Sequence, residues 1–297
     1  MAKGAYIGVD NIARKIKKGY IGVDGVGREV KKGYIGVNGV ARECFGSSFE
    51  PVFANNTWEQ IILACQTRQV PDTWQVGDQK VMEVKQWDGY GTYHYFPYQI
   101  IIIGKNHDDY SDGSGKAPLT FQFGSLNHYG WPWVSRSGLK AWDDSFIRTT
   151  SYFNDQYING MPSAVSSALR EVNKTVYDMF DSAVRTTADK IFLLSEKELF
   201  GASTPIYNSN EQSLHTQYEY YALGNSKNKS KVYLATATEN SNYRAYEWLR
   251  TSFVDSNQSS RARVVTCQSG SKNRQYAYAG SGDYGAYGYV TAPAFCF

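Results

Sequence analysis

The stretch Asp189-Lys-Ile-Phe-Leu-Leu-Ser-Glu-Lys-Glu-Leu-Phe-Gly201 decides the fold class. Ile191 to Leu194 run without a polar break, the pattern of a strand buried on both faces. Ser195 follows at once, with Glu198 three residues on, which is capping-box spacing. Gly201 is placed to end the helical turn. A buried strand feeding a capped helix predicts a mixed architecture, and the chain repeats the alternation. Thr57 and Gln60 form a second capping box, after which Trp58, Ile61, Ile62 and Cys65 fall on one helical face. That face makes Cys65 a core residue rather than a nucleophile. Val81 to Val84 and Tyr98 to Ile103 read as strands. Ser145 to Ile158 reads as a helix ended by Asn159-Gly160, with Pro162 beyond it, and Ser163 to Val172 as another. The final third reads as short strands and long polar loops closing on Ala294-Phe-Cys-Phe297. The expected fold class is α+β.

Composition bounds the function. The 297 residues are 42% hydrophobic and 20% charged, with a net charge of +3, which excludes global disorder. No apolar run approaches the ~20 residues of a bilayer-spanning helix, so no membrane span is expected. The start lacks a charged-apolar-small pattern, so no secretory signal peptide is expected. Four Cys without a CxxC pair exclude a disulfide scaffold, and the outlying figure is 15% aromatic residues, with 24 Tyr.

Charge and repetition separate a head from a body. Residues 1–45 hold nine Lys or Arg against four acids, a net +5; the remaining 22 basic and 24 acidic residues leave −2. Tyr6-Ile-Gly-Val-Asp10, Tyr20-Ile-Gly-Val-Asp24 and Tyr34-Ile-Gly-Val-Asn38 recur every 14 residues. The pairs Asp10-Asn11, Asp24-Gly25 and Asn38-Gly39 suit two-residue hairpin turns. The head is therefore expected to be three 14-residue β-hairpin repeats, a short meander of about six strands too thin to be stable alone. Residues 1–45 are assigned self-association or attachment to a host particle, and residues 46–297 form the body domain. A basic head can also meet nucleic acid, but a solvated, alternating strand surface is the favoured explanation, and no nucleic-acid partner is expected.

The body carries a resemblance. Its pieces are Thr57-Trp-Glu-Gln-Ile-Ile62, Val76-Gly-Asp78, Ile103-Gly-Lys-Asn-His-Asp108, Asp189-Lys-Ile-Phe-Leu-Leu-Ser-Glu196, Leu199-Phe-Gly201, Gln217-Tyr-Glu-Tyr-Tyr221, Trp248-Leu-Arg250 and Ala292-Pro-Ala-Phe-Cys-Phe297. Together they resemble an uncharacterised bacterial and phage domain family of the C-type lectin fold, in its formylglycine-generating-enzyme-like branch. The resemblance implies a C-type lectin-like domain with paired termini and a loop-rich face before the last strand. Some proteins of this fold are variable receptor-binding proteins of diversity-generating retroelements, in which that face is rewritten.

Between Ser241 and Tyr289 the composition shifts to Tyr, Ser, Gly, Arg, Asn and Ala. Tyr gives large amphipathic contact area with few rotors, and Ser, Gly and Asn give adaptable polar contacts. The candidate ligand-binding residues are Tyr243, Tyr246, Arg261, Arg263, Asn273, Arg274, Tyr276, Tyr278, Tyr284 and Tyr287. Arg263 to Cys267 and Tyr289 to Phe297 read as framing strands, and Trp248 as core. The expected function is non-enzymatic binding of a bacterial surface protein or glycan from a phage or phage-like particle surface. A bacterial cell-surface adhesin and a formylglycine-generating-type oxidase are the alternatives. Other signals are weaker. Asp108-Asp-Tyr-Ser-Asp-Gly113 echoes a calcium loop, but Leu119 stands where the bidentate Glu belongs. His107 and His128 lack zinc-ligand spacing. Cys267 and Cys296 lie 29 residues apart, unlike the close pair of formylglycine-generating enzymes. No catalytic residue, metal or cofactor is expected.

Overall fold

The computed structural model describes residues 6–9, 12–15, 19–23, 26–30, 33–37, 40–45, 49–87, 91–125, 142–178, 182–201, 210–223, 246–254, 260–266, 274–278 and 289–297. It is a mixed α and β fold whose sheets, among the described residues, are antiparallel but for one parallel pair. The head holds six strands: β1 (Tyr6–Val9), β2 (Ile12–Lys15), β3 (Gly19–Val23), β4 (Val26–Val30), β5 (Gly33–Val37) and β6 (Val40–Phe45). They pair as three two-stranded hairpins, one per 14-residue repeat as expected, and among the described residues they are not joined into a continuous meander. Val9 faces Ile12, Val23 faces Val26 and Val37 faces Val40, leaving a two-residue connection in each. The connections between hairpins are three and two residues long, and no pairing joins one hairpin to the next among the described residues.

The body begins with α1 (Trp58–Gln66), whose Thr57–Gln60 capping box forms as expected and whose inner face buries Ile61, Ile62 and Cys65. Then follow β7 (Gln79–Trp87), β8 (Tyr93–Lys105), β9 (Leu119–Phe123), α2 (Phe146–Thr149), α3 (Tyr152–Gln156), α4 (Ser163–Ala168), β10 (Val172–Asp178), β11 (Ala183–Asp189), β12 (Ile191–Phe192), α5 (Glu196–Phe200) and α6 (Glu219–Ala222). The chain ends with β13 (Tyr246–Val254), β14 (Ser260–Thr266), β15 (Arg274–Tyr278), β16 (Tyr289–Val290) and β17 (Ala294–Cys296). The main sheet has the order β12-β17-β9-β8-β7. At its centre every residue of β9 is buried, and Phe121 stacks on Phe295 of β17 with ring centroids 5.6 Å apart. The polar members are satisfied: the Gln122 amide donates to the Ala292 carbonyl at 2.9 Å, and Thr120 donates to Asp108 at 2.5 Å. A bulge in β8 between Ile102 and Gly104 explains why the Ile100–Ile103 run does not alternate cleanly. A second sheet, β15-β14-β13-β16, carries the segment before β17.

Three expected elements are shorter than their patterns suggested. The helix over Ser145 to Ile158 is broken into α2, α3 and a 3-10 turn at Ile158–Gly160. Thr149 donates its hydroxyl to the Ser145 carbonyl at 2.8 Å, and Thr150 accepts from the Tyr152 N–H at 3.3 Å. Such local bonds compete with the helical ladder. The helix over Ser163 to Val172 stops at Ala168, because Leu169 turns extended and Val172 starts β10. Tyr289 to Phe297 divides at Thr291–Pro293 into β16 and β17, which belong to different sheets.

Gly160 lies against the backbone of β7, the outermost strand of the main sheet. A Cβ at this position would sit 1.9 Å from the Lys85 carbonyl oxygen. The turn thereby shields part of an otherwise open strand edge. Gly160→Ala should lower unfolding free energy by about 3 kcal/mol, because the obstruction is backbone that cannot step aside. Urea unfolding followed by tryptophan fluorescence checks this; an unchanged midpoint would mean that the turn is not seated there.

Candidate functional site

Charged side chains meet in the core where the elements converge. Lys174 sits on β10 between Val172 and Val176, both fully buried, so period-two alternation points its side chain inward as well. It is 2% exposed. Its ammonium donates to the Asp108 carboxylate, to Glu198 Oε1 at 3.1 Å and to the Tyr218 hydroxyl at 3.0 Å. These partners match its three N–H groups. It also stands 4.0 Å over the Phe192 ring.

Each partner is placed by its own local structure. Asp108 follows β8 in a turn containing Asn106 at φ +49, and its carbonyl accepts from the Ala117 N–H at 2.7 Å. Glu198 completes the α5 capping box: Oε2 accepts from the Ser195 N–H at 2.8 Å, which leaves Oε1 for Lys174 and for Arg250 Nη2 at 3.0 Å. Gly201, at φ +75, closes this helix as expected. Arg250 comes from β13, whose backbone N–H at this residue donates to the Leu194 carbonyl at 2.8 Å. Tyr218 lies against Gly104, where a Cβ would be 2.9 Å from its ring, and donates to both Asp108 oxygens at 2.9 Å. His107 stacks on the Tyr218 ring at 3.9 Å between centroids.

The cluster is electrically closed. Burial pushes the Asp108 carboxyl up, but Lys174 beside it wins and holds it below its ordinary value. Burial acts likewise on Glu198, where Arg250 and then Lys174 hold the group well down. Burial lowers His107, and lowers His215 to about 3, so both imidazoles are neutral near pH 7. Two carboxylates thus face two cations. Ligand atoms of His107, Asp108 and Glu198 lie within 4.8 Å of one another, a spacing that can hold a metal ion. Lys174 bonds both carboxylates, however, so its ammonium already supplies the positive charge a metal would bring. The cluster opens onto a cavity of about 470 Å³, lined by Asp108, Lys174 and Glu198 themselves and by His107, Lys116 and His215 among others. At its rim Asp109 pairs with Lys116 at 3.2 Å.

The calcium-like loop has other work. Asp108 turns into the cluster, Asp109 pairs with Lys116, and Asp112 pairs with Arg170 and accepts from the Ser114 N–H at 2.9 Å. Arg170 lies 3.6 Å over the Tyr110 ring, tying this loop to the start of β10. Cys296 is buried, and burial pushes its thiol well up, with the Asp108 carboxylate adding to the shift. That is the reverse of what a thiolate nucleophile needs. Cys267 and His128 lie outside the described residues, as do Tyr243, Asn273, Tyr284 and Tyr287.

The other six candidate binding residues fall on the second sheet: Tyr246 on β13, Arg261 and Arg263 on β14, and Arg274, Tyr276 and Tyr278 on β15. The register sets Arg261 opposite Tyr278, Arg263 opposite Tyr276 and Val265 opposite Arg274. Tyr246 pairs with Thr266 and, across the parallel edge, with Tyr289. Trp248 is fully buried, as expected, and Leu249, Arg250 and Thr251 are buried with it.

The molecule is therefore an α+β domain with a buried ionic clasp and a Tyr/Arg-bearing second sheet. Residues 128–297 match the family DUF6273, described as a domain of unknown function, and the chain belongs to that family. No curated protein and no solved structure matches the chain. The matched segment omits β7, β8 and β9, yet β9 pairs directly with β17, so the main sheet draws on both sides of that boundary.

Replacing Lys174 with Met should cost about 3–5 kcal/mol, since it strands two buried carboxylates against one remaining cation. Stability should also fall in acid. The unfolded chain takes up the His215 proton near 6.5 while the folded chain resists to about 3, so the loss begins below pH 6.5. Asp108 and Glu198 are held below their ordinary values of 3.8 and 4.5, and they steepen the loss as pH falls past those values. Urea unfolding across pH 3–8 measures both effects, and a flat profile would contradict the assigned charge states.

Proposed function

We propose that the chain is a non-enzymatic binding protein that meets its ligand through β14, β15 and the segments flanking them. The observation that carries the reading is the register, which sets Arg261 opposite Tyr278 and Arg263 opposite Tyr276. Positions two apart on a strand lie on one side of the sheet, so these four positions share a side. Tyr and Arg are the residue types that anchor interfaces. The neighbouring strand β13 gives this patch a firm base: Trp248 to Thr251 are buried, and Arg250 is clamped to Glu198. Binding by preformed contact depends on such rigidity.

On this reading the domain is C-type lectin-like, resembles variable proteins of diversity-generating retroelements, and is displayed on a phage or phage-like particle facing a bacterial surface protein or glycan. The placement of the Tyr/Arg-bearing sheet immediately before β17 supports it. A catalytic reading has less support, because the ionisable groups of the core neutralise one another and the Cys296 thiol is held protonated.

The combined variant Tyr276→Ala, Tyr278→Ala, Tyr284→Ala and Tyr287→Ala should lose at least tenfold in retention on a panel of whole bacterial cells and immobilised glycans. Its melting temperature should move by less than about 2 °C. Full retention, or collapse of the thermal transition, would refute the placement of the ligand face.

A further inference from the structure

The head hairpins share a feature that the ligand face does not need. In the second hairpin Gly19 pairs with Val30, Ile21 with Arg28 and Val23 with Val26, so Ile21, Val23, Val26 and Val30 occupy one side of the two-stranded sheet together with Arg28. The other side holds Tyr20, Gly22, Gly27 and Glu29. The first and third hairpins repeat the arrangement: Ile7 and Ile35 stand where Ile21 does, and Val9 and Val37 where Val23 does. Each hairpin thus has a side with Ile and Val positions and one Arg (Arg14, Arg28 or Arg42, opposite the Ile), whose stem can lie along the apolar surface while its head reaches water, and a Tyr/Gly side; the 14-residue period makes the Ile/Val sides copies of one another.

A lone hairpin of two strands is marginal in water, and its apolar side needs a cover. Val26, on that side of the second hairpin, is 58% exposed. Three equivalent sides cannot pair off within one chain, because three is odd and at least one is left over. A second copy of the chain supplies the matching surface. Ten Ile or Val positions are available per chain among the described residues. Burying them removes on the order of 500–1,000 Å² per partner, the scale of a stable interface.

We propose that the Ile/Val sides of the three hairpins join copies of this chain into a homo-oligomer, and that the Tyr/Gly sides face outward. The inference does not rest on the ligand-binding reading. Charge gives it a distinctive sign. Heads carrying +5 each repel one another, so added salt should strengthen their association by screening. Docking on an acidic partner would weaken with salt instead.

The test is sedimentation velocity of the full chain at micromolar concentration in low and high sodium chloride. The wild type should sediment as a multiple of 33.4 kDa, with more oligomer at high salt. Ile7→Ser, Ile21→Ser and Ile35→Ser together should return it to a single chain without changing the melting of the body. Tyr6→Ser, Tyr20→Ser and Tyr34→Ser together should leave the oligomer in place. A monomeric wild type, an oligomer that survives the Ile changes, or one dissolved by the Tyr changes would each overturn the proposal.

Discussion

Lys174 holds together parts of the chain that lie far apart in sequence. Its ammonium bonds Asp108 from the turn after β8, Glu198 from α5 and Tyr218 from the approach to α6, and Glu198 passes the contact on to Arg250 of β13. Through Asp108 the same cluster reaches Thr120 of β9. Burying an ion pair is not favourable by itself, because both charges lose their water. Here the lost water contacts of the pair have replacements: a third acceptor for the ammonium, a backbone N–H for the Glu198 carboxylate, and a phenol shared between Lys174 and Asp108. Taking away any one member leaves a charge in the core. The arrangement therefore fixes how the strands and short helices sit on one another more than it adds to the depth of the folded state.

What could be read from the sequence was local. The Thr57–Gln60 and Ser195–Glu198 boxes and the glycine stop at Gly201 involve residues within one or two helical turns, and all three formed. The hairpin connections in the head were legible for the same reason, since paired residues on either side of each turn are close in sequence. The long helix over Ser145 to Ile158 misled because apolar periodicity continues across Thr149, Thr150 and Ser151. There, hydroxyls bonded to the backbone interrupt the ladder.

The ionic clasp left a trace that spacing alone could not decode. Lys174 is a charged residue at the inward position of an alternating strand, flanked by two buried valines. That anomaly marks it as a group with a buried partner. Its partners lie 24 to 66 residues away, and nothing in the chain between them says which carboxylates will arrive. The residues of the candidate ligand face are the reverse case. Their composition drew attention to them, while their cross-strand partners became visible only from the register of β14 and β15.

The position of β17 has a consequence for how the molecule is made. Residues 294–296 lie between β9 and β12, hydrogen-bonded to strands that begin at Leu119 and Ile191. During translation those two strands emerge with an empty slot between them, and the sheet cannot be completed until a segment more than a hundred residues downstream has left the ribosome. Contacts of such long sequence separation slow folding. The open edges of β9 and β12 are meanwhile templates for wrong partners, so the nascent chain has reason to depend on chaperones until the last strand slides home.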